Sequence, residues 1–83
     1  MQQGEREARL VAGTRQVQRL IAAGRASRVL IARDADARLQ QTLRALSEAA
    51  RVPVEECESM ALLGRRCRIA VPCAAAAMEN GER

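Results

Sequence analysis

The chain has 83 residues and a net charge of +4, and 48% of it is hydrophobic although it contains no Phe, Tyr or Trp. This length predicts one domain with a single core, built from aliphatic residues, Met and Cys. Because proteins usually hold single-stranded nucleic acid by stacking bases on aromatic rings, the composition argues against such a platform, and against an aromatic carbohydrate site.

Positive charge is concentrated in two parts of the sequence. Residues 8–33 contain six Arg and residues 59–78 contain three, and neither stretch contains an acid, whereas residues 34–58 contain six acids and three Arg. All basic residues are Arg, which either a GC-rich genome or selection for bidentate phosphate contacts would produce. Such polarised charge favours a nucleic acid or an anionic membrane as the partner.

Other classes of protein are not expected. No apolar run approaches the roughly 20 residues of a membrane span, and residues 1–5 do not resemble a signal peptide, so we expect a cytoplasmic protein. The chain has no His and no Cys-x-x-Cys motif, which argues against zinc, and no cofactor is indicated. Cys57, Cys67 and Cys73 are interpreted as buried or half-buried free thiols, with a Cys67–Cys73 redox pair as the alternative.

The first half of the chain predicts strands alternating with helices. Residues 10–12 form a brief apolar run, and residues 14–23 have the apolar spacing of a helix that stops at Gly24. Residues 29–32 are continuously apolar, which predicts a strand buried on both faces. Asp36 is suited to cap a helix over residues 37–51. The predicted apolar stripe of this helix is Leu39, Leu43, Leu46 and Ala50.

The second half continues the alternation. Residues 52–57 predict a third strand, and Ser59 is suited to cap a third helix. Gly64 is expected to end or kink that helix, or else to form a phosphate-binding turn with the arginines that follow it. Residues 73–78 predict the final strand, and the polar tail, 79–83, is expected to fray. The pattern indicates a single α/β domain over residues 1–83 with a partly parallel sheet.

The start of the first helix has the composition of an anion site. Amide groups at a helix start favour anions, and Arg and Gln can each make two parallel hydrogen bonds to a base edge or a phosphate. Arg15 and Arg19 are four residues apart and share a helix face, with Gln16 on its edge. The alternative is that these three side chains only solvate an exposed face.

An enzyme is not expected. Asp34 and Asp36 could be paired catalytic carboxylates, but helix capping and turn chemistry explain them better. The chain has no His, Tyr or Lys, and no Ser or Cys has a recognisable general base beside it.

Five segments taken in order carry a resemblance to a known family. They are Gly13-Thr14-Arg15-Gln16, residues 31–36 (IARDAD), residues 52–54 (VPV), Glu58-Ser59-Met60 with Leu63-Gly64-Arg65 and Cys67, and Ile69-x-Val71. This order resembles the kink-turn-binding ribosomal proteins, which include archaeal ribosomal protein seven-Ae and eukaryotic ribosomal protein thirty, and above all their bacterial YbxF-like branch.

The resemblance implies a three-layer α-β-α sandwich with a four-stranded mixed sheet. It also implies binding, as a monomer and without a cofactor, to kink-turn RNA, a bent helix–bulge–helix with tandem sheared G·A pairs. Arg15 and Gln16 would reach guanine edges, Arg19 would support them, and residues 68–72 would cover bases flipped out of the bulge. The candidate RNA-binding residues are Gly13, Thr14, Arg15, Gln16, Arg19, Arg33, Arg65, Arg68, Ile69, Ala70 and Val71.

Residues 68–72 depart from the family pattern. The family usually has Gly where this chain has Arg68, an acid at Ala70 and a small residue at Pro72. Pro removes a backbone donor, and Arg68 is costly if its φ is positive. We therefore expect this segment to hold RNA differently or more weakly. Two alternatives stay open: Ile69 and Val71 are ordinary core residues, or the protein is an interaction module that keeps the fold with weak or lost RNA specificity.

Overall fold

The computed structural model describes residues 9–80, which form four strands and three helices. In chain order these are β1 (Arg9–Ala12), α1 (Thr14–Ala22), β2 (Ala26–Ala32), α2 (Ala37–Ala49), β3 (Val54–Cys57), α3 (Met60–Arg66) and β4 (Ala75–Glu79). The sheet has the order β1-β4-β2-β3, with β2 parallel to β3 and β4 antiparallel to both of its neighbours. Within residues 9–80, no helix is long and apolar enough to cross a membrane.

Strand β2 divides the core into two layers. Val29 and Ile31 pack with the residues of α1 and α2, whereas Leu30 and Ala32 pack with those of α3. Successive side chains of a strand point to opposite faces of the sheet, and all four of these are 0% exposed. The predicted α-β-α sandwich and the burial of this strand on both faces are therefore confirmed. The strand begins earlier than expected, at Ala26.

All three helices end in Schellman motifs, in which the residue after the C-cap has a positive φ. These residues are Gly24 (φ 71°), Arg51 (φ 61°) and Arg68 (φ 60°). In α3 the motif is closed by backbone bonds from Arg68 N–H to Arg65 O (3.0 Å) and from Ile69 N–H to Gly64 O (3.1 Å). This conformation costs an L-residue other than Gly about 1–2 kcal/mol, so both arginines are strained.

The predicted stripe of α2 is wrong in its second half. Leu46 is 39% exposed, whereas Ser47 is 0% exposed. The face toward the sheet repeats at steps of four from Leu39 through Leu43 to Ser47, because this spacing keeps side chains in line over two turns. Ser47 donates its hydroxyl to Leu43 O over 2.8 Å, so its burial leaves no unpaired polar group. The helix ends at Ala49, two residues before the expected end.

Gly64 does not end or kink the third helix, and it is not part of a phosphate-binding turn. Helix α3 continues through Arg66, and Ser59 caps it as predicted by accepting a bond from Leu62 N–H over 3.1 Å. Gly64 is instead buried inside the helix, at a place where another part of the chain comes close.

The start of β3 and the end of β4 also differ from the prediction. Strand β3 begins at Val54 because Pro53 has no N–H to donate, although Pro53 O accepts from Val29 N–H over 2.9 Å. The expected fraying from Glu79 is wrong, since this residue ends β4 and its carboxylate pairs with Arg9 (3.4 Å) and Arg25 (3.0 Å). Asn80 N–H donates to Arg25 O over 2.9 Å, and residues 81–83 of the predicted tail lie outside the described residues.

Candidate nucleic-acid interface

The topology brings four connections to one edge of the sheet. The parallel strands β2 and β3 end there side by side, with Ala32 paired to Cys57. Strand β1 also ends there, and β4 begins there, with Ala12 paired to Ala76. We call this the carboxyl edge; it comprises the turn at Gly13, residues 33–36, residues 58–59 and residues 67–74. Ligands of open α/β sheets bind outside the carboxyl ends of the strands.

The turn at Gly13 holds the start of α1 against β4. Gly13 donates its N–H to Ala75 O over 3.0 Å, and its carbonyl accepts from Val17 N–H over 2.9 Å. Its φ of 110° is strained for any residue with a side chain. No side chain caps this helix, so the amides of its first turn point outward without a side-chain partner. The predicted order of strand, glycine turn and helix is confirmed.

The candidate side chains of α1 lie on its outer face. Arg15, Gln16 and Arg19 are exposed, whereas Val17 and Ile21 are buried against the sheet. Thr14, the first residue of the helix, is half-buried. The two guanidiniums and the carboxamide are thus presented together to the outside, as the spacing predicted. Their contact with RNA stays a prediction.

Residues 67–73 fold back over α3, and Gly64 makes this possible. Cys73 N–H donates to Met60 O over 3.0 Å, at the first turn of the helix. A Cβ at Gly64 would overlap the carbonyl oxygen of Val71 and lie 3.3 Å from Cα of Pro72. The sequence analysis did not predict this role, although an isolated Gly within a helical pattern can have a packing reason.

A shallow pocket opens between this segment and α3. Its volume is about 240 Å³, and its lining residues are Ala61, Arg65, Ile69, Ala70, Val71 and Pro72. Ile69 is 38% exposed and Val71 is 60% exposed. They are therefore not core residues at a strand entry, and this alternative is wrong. The carboxyl edge instead presents an aliphatic surface beside Arg65.

Ion pairing within residues 9–80 distinguishes most of the candidate arginines from those that already have an acidic partner. Six arginines pair with an acid within residues 9–80: Arg9, Arg25, Arg28, Arg33, Arg44 and Arg66. Four exposed arginines of the candidate set do not: Arg15, Arg19, Arg65 and Arg68. Arg33 differs from the other candidate cations because its Nε lies 3.8 Å from Glu56 Oε1. The candidate set thus keeps four guanidiniums available to an external anion.

The two aspartates at this edge act on backbone amides. Asp36 caps α2 as predicted, accepting from Leu39 N–H over 3.2 Å. Asp34 Oδ1 accepts from Met60 N–H over 2.8 Å and so ties residues 33–36 to the start of α3. Each carboxylate accepts a hydrogen bond from the start of a different helix, which supports the capping interpretation over a catalytic pair. Asp34 and Met60 are 26 residues apart, so no local spacing pointed to their contact.

The three cysteines are free thiols that face the α3 layer of the core. Burial, and then the neighbouring Cys73 thiol, raise the pKa of Cys67 to about 11. At neutral pH this thiol is therefore protonated and a poor nucleophile. Cys73 donates its own proton to Ala75 O, with Sγ 3.0 Å from the oxygen. Within residues 9–80, no group of His, Cys, Asp or Glu is arranged to hold a metal ion.

Comparison with known proteins relates this chain to one family. A model of the family described as ribosomal protein L7Ae/L30e/S12e/Gadd45 matches residues 1–83. An RNA-binding protein of Geobacillus kaustophilus is 39% identical over 70 residues, which are 84% of this chain and 85% of the relative. The RNA-binding protein YbxF of Geobacillus stearothermophilus is 39% identical over 70 residues, with the same two coverages.

Solved structures match the fold. The 15.5kD RNA binding protein of Giardia lamblia has a TM-score of 0.74 and 28% identity, over 90% of this chain and 62% of that one. This chain thus spans less than two thirds of the Giardia protein. A protein of unknown function from Bacillus halodurans has a TM-score of 0.80 and 19% identity, over 87% of this chain and 72% of that one. The second likeness concerns the fold alone.

Proposed function

The chain belongs to the ribosomal protein L7Ae/L30e/S12e/Gadd45 family, and on this premise we propose that it binds structured RNA containing a kink-turn. The family and the names of its relatives indicate an RNA-binding protein and not an enzyme, and they bear out the YbxF-like resemblance. Action as a cytoplasmic monomer without a cofactor is part of the same proposal.

The observation that carries the proposal is that the two predicted contact segments meet at the carboxyl edge. Gly13, at the start of α1, is bonded to Ala75, the first residue of β4. Residues 68–72 lie just before that strand and are held against α3. The basic helix start and the exposed aliphatic segment therefore lie at the same edge of the sheet.

The two parts of this surface suit the two kinds of group that a bent RNA exposes. Arg15 can bind the O6 and N7 acceptors of guanine in a bidentate manner, and Gln16 can pair with a base edge. Arg19, one turn further, supplies charge to a phosphate. Ile69 and Val71 can cover the apolar face of an unstacked base. Since the chain has no aromatic ring, recognition rests on shape, phosphates and base edges.

The test compares two RNA hairpins in a gel shift or a fluorescence anisotropy titration. One contains a kink-turn, and in the other Watson–Crick pairs replace the tandem G·A pairs. We expect clearly tighter binding of the kink-turn hairpin at moderate salt. Equal affinity for both would overturn kink-turn specificity and leave only non-specific attraction of a basic protein. Size-exclusion chromatography with light scattering, with and without RNA, tests the monomer.

The second candidate function is a protein-interaction module with weak RNA specificity. The observation in its favour is the 60% exposure of Val71 beside Ile69, in a segment where Arg68 and Pro72 depart from the family pattern. The dependence of binding affinity on salt concentration distinguishes the two candidate functions. RNA affinity would fall steeply between low and moderate salt, whereas an aliphatic protein interface would change little.

A further inference from the structure

We propose that Arg65 and Arg68 form a phosphate-binding pair on the rim of the pocket above α3. They would bind the RNA phosphates on either side of an unstacked nucleotide. This inference rests on the proposed function and goes beyond it. It assigns a charged contact to a segment whose expected role is aliphatic cover, and it places part of that contact on Arg68, whose positive φ favours Gly.

The geometry places both arginines beside the pocket. Arg65 lines it, and Ile69, the residue after Arg68, forms part of its wall. Arg68 N–H donates to Arg65 O over 3.0 Å, so the turn at the end of α3 keeps the two residues adjacent. Both side chains are exposed. Arg65 therefore lies in the wall of the aliphatic concavity, and the backbone of Arg68 lies directly beside that wall.

Ion pairing singles out these two arginines within their own stretch of sequence. Arg66, which lies between them in the chain, is held by Glu55, with Nη1 3.2 Å from Oε2. Neither Arg65 nor Arg68 pairs with an acid of residues 9–80. The fold thus uses Arg66 at the β3 edge of the sheet and leaves the two neighbours available to an external anion.

The backbone and the charge of the segment add support. Arg68 occupies a left-handed position (φ 60°) that favours Gly, so its side chain is present despite strain. Arg51 has the same conformation (φ 61°) at the end of α2, which shows that strain by itself does not mark a binding residue. What distinguishes Arg68 is the pocket beside it. No acid of the surrounding stretch opposes these charges, since residues 59–78 contain none.

The chemistry of the pocket indicates a nucleotide. Its volume of about 240 Å³ is below the roughly 300–1,000 Å³ of pockets for drug-sized ligands, so it suits a single small flat group. Aliphatic walls fit the face of a base, and guanidiniums on the rim fit phosphates, which they bind in a bidentate manner. An unstacked nucleotide of a bulge presents both groups together.

The experiment neutralises one phosphate at a time. Kink-turn hairpins carrying a single methylphosphonate beside the unpaired nucleotides are titrated with the wild type, Arg65→Gln, Arg68→Gly and the double variant. Arg51→Gly and a methylphosphonate in the distal stem are the controls. Arg68→Gly relieves backbone strain, so a loss of affinity cannot be ascribed to unfolding, and a melting curve verifies this for each variant.

We expect the wild type to lose about tenfold in affinity when the contacted phosphate is neutralised, and Arg68→Gly to lose a similar factor on unmodified RNA. The two losses should not add, because each removes the same contact. The dependence of log Kd on log salt should also become shallower by about 0.7 for each lost contact. Arg51→Gly should bind the RNA with the affinity and the salt dependence of the wild type.

Three outcomes overturn the inference, and they show whether the proposed function fails with it. In the first, the wild type discriminates the kink-turn from its control, but the loss of affinity from each arginine variant adds to the loss from each neutralised phosphate. The phosphate contact is then wrong and the proposed function stands. If the double variant keeps the wild-type affinity and salt dependence, the same conclusion follows. If the wild type does not discriminate at all, the proposed function and this inference fail together.

Discussion

Gly13 and Cys73 donate hydrogen bonds to the same carbonyl oxygen, that of Ala75, the amide and the thiol each over 3.0 Å. Gly13 starts α1, and Cys73 directly follows residues 68–72. The two halves of the proposed interface are thus attached to one atom at the first residue of β4. Their separation is set by the sheet, so the surface is organised before any ligand arrives.

Replacing Gly64 with Ala should destabilise the protein, although Ala is the better helix former by about 1 kcal/mol. The new Cβ would overlap the Val71 carbonyl and displace the segment over α3. We expect urea unfolding to show a net loss of about 1–3 kcal/mol, with weaker kink-turn binding. Gly24→Ala is the matched control, because its strained φ of 71° has no neighbour within 4 Å of a Cβ. It should lose stability and keep RNA affinity, and a stable, fully binding Gly64→Ala variant would contradict the packing role.

Glycine at either strained arginine should stabilise the protein. Arg51 and Arg68 have φ values of 61° and 60°, so removing the side chain relieves the same conflict at both positions. We expect each variant to gain about 1 kcal/mol in the free energy of unfolding, measured by urea denaturation at constant m-value. A gain at one position and a loss at the other would mean that side-chain contacts, and not the backbone, dominate there.

The thiol of Cys67 should be slow to react until the solution is strongly alkaline. Its pKa is raised to about 11 by burial and by Cys73, so alkylation by iodoacetamide at pH 8, read by mass spectrometry, should be far slower than that of a model cysteine peptide. The rate should rise as the pH approaches 11. Fast alkylation at pH 8 in the folded protein would show that solvent and reagent reach this thiol.

The raised pKa of Cys67 also makes the folding stability of the protein decrease at alkaline pH. Below the ordinary cysteine pKa of about 8.5 both the folded and the unfolded protein keep the Cys67 proton, so the full stability is present. Above it the unfolded chain ionises first, and stability falls as the pH rises through about 11. The comparison is urea unfolding of the wild type and Cys67→Ala at pH 7.5 and pH 10. The decline should be smaller in the variant.

Asp34 should matter for the proposed interface as well as for stability. Removing its carboxylate leaves Met60 N–H without its 2.8 Å acceptor, at the start of the helix that supports the pocket. Asp34→Ala and Asp36→Ala should each lose about 1 kcal/mol of folding free energy, because both remove an acceptor at a helix start. Only the first should also weaken RNA binding through residues 68–72. Equal RNA affinities in the two variants would show that α3 keeps its place without Asp34.

Arg15→Ala and Gln16→Ala should each weaken the kink-turn complex by about 1–3 kcal/mol if these side chains read base edges. The loss should be much smaller on the Watson–Crick control hairpin. Arg51→Ala, at the opposite end of α2 from the carboxyl edge, is the matched removal of a charge. If neither α1 variant loses specific affinity, the base contacts lie elsewhere on the surface.

Most of the local structure was predictable from the sequence because it depends on neighbours within one or two turns. The helix start at Gly13 and the caps at Asp36 and Ser59 follow from residue type and spacing alone. The strand over residues 29–32 follows from its unbroken apolar run, which only burial on both faces explains. The family resemblance likewise rests on residues that can be compared one by one.

Contacts that do not follow from helix or strand spacing were decided only by the tertiary structure. The approach of Val71 to Gly64, the bond from Met60 to Asp34, and the assignment of Arg66 to Glu55 each join elements that meet across the fold. The exposure of Leu46 has the same origin, because helical spacing permits several apolar faces and packing against the sheet selects one. The sequence by itself therefore determined the elements and the chemistry available at the carboxyl edge. Which charges remain there for an external anion was decided by the packing of the three layers.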